Sequence, residues 1–306
     1  MAARPRPQPG IRKPQLETGI AVTSIFDFDA KPDLYAVMGN PIAHSKSPQI
    51  HAAFARQTRQ RMEYIAILVE PGGFGHAVGN FRAERGKGLN ITVPFKHEAW
   101  KLVNERTPRA ERAGAVNTIL FRPDGTALGD TTDGVGLIRD IVDNHAGRIA
   151  QCQVLILGAG GAVRGVLEPL LEQQPARVVI ANRTIDKAQA LAREFSTVGV
   201  VEGCGYEEIQ GQAFDFIING TSASLRGQLP PLSEGILAPG GWCYDMAYGD
   251  MPTPFVQWGH GHGAVKSLDG IGMLVEQAAE SFHLWRGVRP QTAPVIEMLK
   301  KAHLPG

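Results

Sequence analysis

From Leu34 onward, short apolar runs alternate with longer amphipathic stretches along the chain. Tyr35-Ala36-Val37-Met38 is an apolar run that stops at Gly39-Asn40-Pro41, as a strand does on entering a turn. Ser47-Pro48 opens a helix, with Ser47 expected as its N-cap and Pro48 at the first helical position. Ile50, Ala53 and Phe54 form that helix's apolar face. Residues 64–69 and 89–93 read as strands, and 116–121 and 126–128 as two more, joined at the hairpin turn Asp124-Gly125. Helices are expected at 135–144, 162–173 and 185–195, and strands at 154–157, 178–181, 214–218 and 242–246. Two amphipathic helices, 271–286 and 293–302, end the chain, with their Leu and Val positions as core. Such alternation is the mark of an α/β protein built on parallel sheets. No internal repeat is visible.

Val154-Leu155-Ile156-Leu157 runs directly into Gly158-Ala159-Gly160-Gly161-Ala162. A buried strand, a glycine turn and a helix start together form the unit that holds a dinucleotide pyrophosphate. The helix presents its unpaired N–H groups and positive dipole end, and glycine lets the backbone come close. About 24 residues further on, where an NAD-binding chain carries an acidic residue for the ribose 2′-hydroxyl, this chain has Asn182-Arg183-Thr184. An arginine there suits a 2′-phosphate, so the expected cofactor is NADP. The third glycine of the strict pattern is replaced by Val163, with Ala162 and Gly165 as candidates for the close helix–strand approach. A tight turn with no ligand is the bland alternative, and Arg183 argues against it.

This nucleotide unit begins only near residue 150. The hundred residues before it already form a complete βα series, which makes them a separate domain with a ligand cleft between the two. At 306 residues the chain is long enough for both. Its hydrophobic fraction of 43% and charged fraction of 20% are ordinary for a soluble globular protein. A net charge of +1 gives no reason to expect nucleic acid or an anionic membrane as partner, and no apolar run reaches transmembrane length. Cys152, Cys204 and Cys243 are scattered and lack metal-ligand spacing, as in a protein of the reducing cytoplasm. Residues 1–33 carry Pro5, Pro7, Pro9 and Pro14 among basic residues without apolar periodicity, and read as a disordered tail or the product of an upstream start codon.

The chemistry gathers at the strand ends of the first domain. Residues 40–48 follow the first strand; Asn90-Ile91-Thr92-Val93-Pro94-Phe95-Lys96 crosses another; Ala113-Gly114-Ala115-Val116-Asn117-Thr118 leads into the hairpin and Gly129-Asp130-Thr131-Thr132-Asp133-Gly134 leaves it. Hydroxyls and amides so placed suit a small polyhydroxylated acid. Lys96 can act as acid or base with Asp133 as its partner, if the fold brings them together. The plain readings are a solvated Lys96, an Asp133 that caps the following helix, a Ser47 that only caps, and Gln277 and Tyr248 in surface or packing roles. His260 and His262 are too few for a metal site and read as surface loop, so no metal is expected.

These motifs together strongly resemble the shikimate dehydrogenase family, over nearly everything from Leu34 to the C-terminus. Residues 39–48, 90–96, 113–118 and 130–134 carry the likeness, along with Tyr244-Asp245-Met246 and the run 269–278. The resemblance implies an N-terminal α/β substrate domain (34–134), a Rossmann-type NADP domain (135–270) and C-terminal helices (271–306) that return to the first. It implies reversible NADPH-dependent reduction of 3-dehydroshikimate to shikimate in aromatic amino-acid and chorismate biosynthesis, by a cytoplasmic monomer or homodimer. Carried over by position, Lys96 and Asp133 are the catalytic pair. Ser45 and Ser47 hold the substrate carboxylate, and Asn90, Thr92, Asn117, Tyr248 and Gln277 contact it or the ring hydroxyls. Gly158, Ala159, Gly160, Gly161 and Ala162 bind the pyrophosphate, and Asn182, Arg183, Thr184 and Lys187 the 2′-phosphate region. Thr221, Met246 and Gly270 line the nicotinamide side. Two departures stand out: Asn219-Gly220-Thr221-Ser222 where the family commonly has Asn-Ala-Thr-Ser, and Lys187 where an arginine is frequent, which keeps the charge but loses the planar fork. A quinate or quinate/shikimate dehydrogenase, using NAD or NADP, is the near alternative; paired Ser45 and Ser47 with Arg183 speak against it. A non-catalytic NADP-binding regulator is the distant one, against which stand Lys96 and Asp133.

Overall fold

The computed structural model describes residues 31–301. The tail reading of residues 1–33 lies almost wholly outside the described residues. Two six-stranded sheets organise the chain into a two-domain α/β protein, as the alternation predicts.

The first sheet holds β1 (Asp33–Gly39), β2 (Met62–Leu68), β3 (Gly88–Ile91), β4 (Glu105–Arg106), β5 (Thr118–Phe121) and β6 (Ala127–Asp130), in the order β2-β1-β3-β5-β6-β4. It is mixed, not parallel. β1 runs parallel to both β2 and β3, but β5 is antiparallel to β3 and β6. The hairpin at Asp124-Gly125 forces the reversal, because a short turn can join only antiparallel neighbours. The second sheet holds β7 (Gln153–Leu157), β8 (Arg177–Ala181), β9 (Val201–Cys204), β10 (Phe214–Asn219), β11 (Leu237–Asp245) and β12 (Lys266–Leu268). Its order, β12-β11-β10-β7-β8-β9, is parallel throughout, with the topological switch between β7 and β10. That is the doubly wound dinucleotide-binding order.

Helices α1 (Ser47–Thr58), α2 (Phe74–Ala83), α3 (Lys96–Leu102) and α4 (Pro108–Ala113) accompany the first sheet. Helix α5 (Asp133–Arg139) and a π-turn over Asp140–Asn144 lead to the second, and α6 (Gly161–Leu171), α7 (Ile185–Phe195) and α8 (Pro254–Gly261) cover it. Helices α9 (Ile271–Arg286) and α10 (Ala293–Lys301) close the described chain. Helix α9 returns to the first sheet: its Phe282 packs with Ile50 and Phe54 of α1, and Trp285 Nε1–H donates to the Ile119 carbonyl of β5 at 3.0 Å. Its other end reaches the opposite core, where Met273 packs with Leu137, Ile141 and Val163 beneath β7 and β10. A boundary between 134 and 135 therefore falls inside α5.

Three local readings differ. Lys46, not Ser47, occupies the N-cap of α1, and Ser47 begins the helix with its N–H donating to Ser45 Oγ at 3.3 Å. His260 lies in the last turn of α8 rather than in a loop, because Thr253 caps Pro254 into a helix that runs to Gly261. The close approach at Val163 comes from neither Ala162 nor Gly165. It comes from Gly220, where a Cβ would sit 2.4 Å from Val163 Cγ2. Glycine at 220 is what leaves room for the Val163 side chain.

Candidate active site

A cleft of about 440 Å3 lies at the strand ends between the two sheets. Two helix starts bring the expected catalytic pair together there. Lys96 opens α3 just after β3, and Asp133 opens α5 just after β6. Lys96 Nζ donates to Asp133 Oδ2 at 2.6 Å. The other carboxylate oxygen, Oδ1, accepts from Asn117 Nδ2 at 2.9 Å. Asn117 is in turn locked: its Oδ1 accepts from the Thr132 backbone N–H at 2.9 Å and from Thr118 Oγ1 at 2.8 Å. The Lys96 and Asp133 side chains remain 21% and 11% exposed, so the pair meets the cleft instead of being sealed in the core. Asp133 also sits in the first turn of α5, but its oxygens face Lys96 and Asn117, so capping is not its work.

All nine expected catalytic and substrate residues line this one cleft: Ser45, Ser47, Asn90, Thr92, Lys96, Asn117, Asp133, Tyr248 and Gln277. The polar ones rest on a buried lattice. Asn90 Oδ1 accepts from Tyr64 O–H at 2.8 Å, while its Nδ2 donates to Ser281 Oγ at 3.0 Å and Thr118 Oγ1 at 3.1 Å. Gln277 Oε1 accepts from Thr132 Oγ1 and from Asn117 Nδ2, each at 3.3 Å. Tyr248 is half-buried, lines the cleft and also packs toward Ile271 and Val275; burial pushes its phenol up. Met246 and Gly270 line the same cleft with Ala162. Sequence reasoning missed Tyr64 and Ser281, which with Thr118 and Thr132 support the site from behind. It also missed Leu225, Ala247, Met273 and Leu274 on the wall. Ser281, one turn after Gln277 on a helix whose other face is apolar, carried a usable signal.

The second sheet presents the nucleotide turn at the cleft's edge. Gly158 adopts φ +101°, a conformation that disfavours side chains, and its N–H donates to the Ala181 carbonyl at 2.8 Å. Gly160 and Gly161 are exposed at the start of α6, and a Cβ on either would meet nothing within 4 Å. An open, side-chain-free helix N-terminus at the switch point fits a pyrophosphate. Thr221 leans over Gly158, its Cγ2 3.2 Å from where a Cβ would stand. At the end of β8, Arg183, Thr184 and Lys187 are exposed together, and Asn182 Nδ2 donates to the Thr184 carbonyl at 2.9 Å. Two cations beside the turn fit a 2′-phosphate. Tyr206, missed in the sequence, stands close enough to Arg183 for that charge to oppose the upward push of burial on its phenol. Among the described residues no group of three or more His, Cys, Asp or Glu could hold a metal. The cysteines are free, and burial pushes the Cys204 and Cys243 thiols up to about 11 and about 12, away from nucleophile chemistry. No helix among the described residues is long and apolar enough to cross a membrane.

A dinucleotide domain facing a polar cleft that carries a paired lysine and aspartate defines a two-domain α/β dehydrogenase. Within that class the chain belongs to the shikimate dehydrogenase family. Residues 37–119 match the shikimate dehydrogenase substrate-binding domain, 140–226 the shikimate/quinate 5-dehydrogenase domain, and 270–300 the shikimate 5′-dehydrogenase C-terminal domain. A shikimate dehydrogenase (NADP+) from Nitrosococcus oceani is 58% identical, covering 88% of this chain and 96% of its own. An Ael1 enzyme from Pseudomonas putida superimposes with a TM-score of 0.82 at 46% identity, covering 89% of this chain and 99% of its own. The shikimate 5-dehydrogenase of Thermus thermophilus, solved with NADP(H) and shikimate, gives 0.78 at 28% identity, covering 89% and 100%.

Proposed function

We propose that this chain catalyses the reversible NADPH-dependent reduction of 3-dehydroshikimate to shikimate, a step of aromatic amino-acid and chorismate biosynthesis, in the cytoplasm. The observation that carries the reading is the Lys96–Asp133 contact at 2.6 Å in a cleft beside an open dinucleotide turn. NADP(H) is the cofactor of the curated relatives, and the residues here fit it.

Bound NADPH supplies a hydride for the substrate's carbonyl carbon. Lys96 answers the negative charge that grows on the carbonyl oxygen: its ammonium polarises the C=O bond and gives up the proton that completes the alcohol. Asp133 holds that ammonium at the cleft surface, and Asn117 holds Asp133, so the donor is aimed before the substrate arrives. Ser45 and Ser47 present hydroxyls to the substrate carboxylate. Asn90, Thr92, Asn117, Tyr248 and Gln277 read the carboxylate and the ring hydroxyls from the two sides of the cleft. Gly158 to Ala162 take the pyrophosphate, with Asn182, Arg183, Thr184 and Lys187 at the 2′-phosphate. Thr221, Met246 and Gly270 form the nicotinamide wall. The substrate domain comprises 34–134 and 271–306, the NADP domain 135–270, and the protein acts as a monomer or homodimer.

The test is spectrophotometric. Wild-type protein with shikimate should reduce NADP+, and quinate with NAD+ should be the poorer pair in kcat/KM. Lys96→Ala should lose most turnover, by about 10² to 10⁴-fold, while NADP+ and shikimate still bind. Unchanged turnover in that variant removes the assigned role, and a wild-type protein that binds NADP+ without reducing it is a regulator.

A further inference from the structure

A buried carboxylate with no cation of its own sits behind the cofactor side of the cleft. Asp245, the last residue of β11, is fully buried, and no ion pair among the described residues includes it. It is held by hydrogen bonds alone. Oδ1 accepts from Asn219 Nδ2 at 3.1 Å and from the Ala247 backbone N–H at 3.0 Å. Oδ2 accepts from Ser224 Oγ and from Thr253 Oγ1, each at 2.6 Å. A carboxylate offers about four acceptor positions, and here all are used. Burial pushes its pKa up while these donors oppose the push.

The donors come from two stretches of chain, 219–224 and 247–253. Asn219 ends β10, Ser224 begins a short 3-10 turn, Ala247 follows β11, and Thr253 caps α8. Asn219 extends the reach, since its Oδ1 accepts from the Thr221 backbone N–H at 3.1 Å and from Thr221 Oγ1 at 2.7 Å. Its carbonyl also accepts from the Met246 N–H at 2.9 Å. One carboxylate thus ties down the segments that carry Thr221, Leu225, Met246 and Ala247. The last three line the cleft, and Thr221 overhangs Gly158.

Such an arrangement does more than fill a core. An apolar residue could fill the space, but only a multiply accepting group can hold both stretches to one point, and a charged acceptor makes the stronger bonds. We infer that Asp245 is a positioning residue for the redox step: it sets the relative placement of the two loops against which the nicotinamide end of the cofactor must lie. The inference rests on the NADP-dependent function proposed above.

Ser224 and Thr253 allow a matched test. Each gives a hydroxyl to the same carboxylate oxygen at the same 2.6 Å, but Ser224 anchors the cofactor loop and Thr253 anchors α8. Ser224→Ala and Thr253→Ala are compared by NADP+ titration calorimetry without substrate, by kcat with shikimate, and by melting temperature. Thr253→Ala, which also removes the cap to the Val256 N–H, should melt lower than wild type yet keep NADP+ affinity and kcat within about two-fold. Ser224→Ala should bind NADP+ at least five-fold more weakly and lose kcat by a similar factor. If Ser224→Ala does not fold, Ser224→Cys, which keeps the volume with a weak donor, is read in its place. Equal changes in NADP+ affinity in the two variants, or none in either, overturn the positioning role. A wild-type protein that binds NADP+ but does not oxidise shikimate overturns the function instead, and the calorimetric comparison still judges Asp245.

Discussion

His51 shows how one side chain can tie the site to the solution. It is fully buried on α1, one turn after Ser47, stacked on Tyr64 at 4.1 Å between ring centroids and set among Phe54, Phe282 and Trp285. Neither ring nitrogen has a hydrogen-bond partner among the described residues, although Asn90 lies near enough to favour the charged form slightly. Desolvation dominates and lowers the imidazole pKa from 6.5 to about 3. Between those two values the unfolded chain binds a proton that the folded chain refuses. Stability therefore rises with pH across that window and is lost as pH falls from about 6.5 toward 3. Going from pH 7 to pH 5 should cost on the order of 2 kcal/mol from this group. His51→Phe, which suits the aromatic surroundings, should remove that component. Urea unfolding of both proteins at pH 7 and pH 5 checks it, and parallel pH dependence in the two would refute the assignment.

At the level of elements, α9 is unusual in burying a polar stripe. Gln277, Ser281 and Trp285 recur every four residues and face the first sheet, where they meet Asn117, Asn90 and the Ile119 carbonyl. The helix therefore both closes the core and orients residues that line the cleft. Ser281 is the centre of it: its Oγ meets Asn90 Nδ2 at 3.0 Å and Thr118 Oγ1 at 2.8 Å. Ser281→Ala leaves those buried groups short of a partner, which should cost about 1–3 kcal/mol. The loosened Asn90 should also raise KM for shikimate several-fold, with KM for NADP+ unchanged. Steady-state kinetics beside thermal unfolding separate the two effects; a stability loss with both KM values intact would leave α9 a purely structural helix.

The two sheets are joined through α5 and α9, which cross at very short range. A Cβ on Gly136 of α5 would stand 2.7 Å from the Met273 carbonyl oxygen and 2.8 Å from the Gln277 nitrogen of α9. Both are backbone atoms and cannot swing aside. Asp133 stands on one of these helices and Gln277 on the other, so the crossing sets the width of the cleft. Gly136→Ala should push the helices apart, cost about 1–3 kcal/mol as overpacking does, and lower kcat/KM at least ten-fold. Far-ultraviolet circular dichroism should remain that of the wild type, since neither sheet is touched. Wild-type kinetics in Gly136→Ala would mean the cleft tolerates a wider crossing.

Local chemistry was legible in the chain because it depends on near neighbours. The strand–glycine–helix unit at 154–162, the hairpin at Asp124-Gly125 and the spans of α7 and α9 follow from periodicity and turn residues, and all stand in the structure. The strand-end motifs were visible for the same reason, as was an arginine in place of an acidic residue after β8. The short helices α2, α3 and α4 escaped notice, because a helix of a few turns is decided by what it packs against more than by its own residues. Pairings far apart in sequence were equally out of reach. Val163 against Gly220, Asp245 with Ser224 and Thr253, and His51 inside an aromatic cage exist only once strands and helices distant in the chain have packed together. Whether Lys96 meets Asp133 was a question of geometry that no spacing could answer; the register of β3, β5 and β6 decided it, by bringing the ends of β3 and β6 to the same side of the sheet.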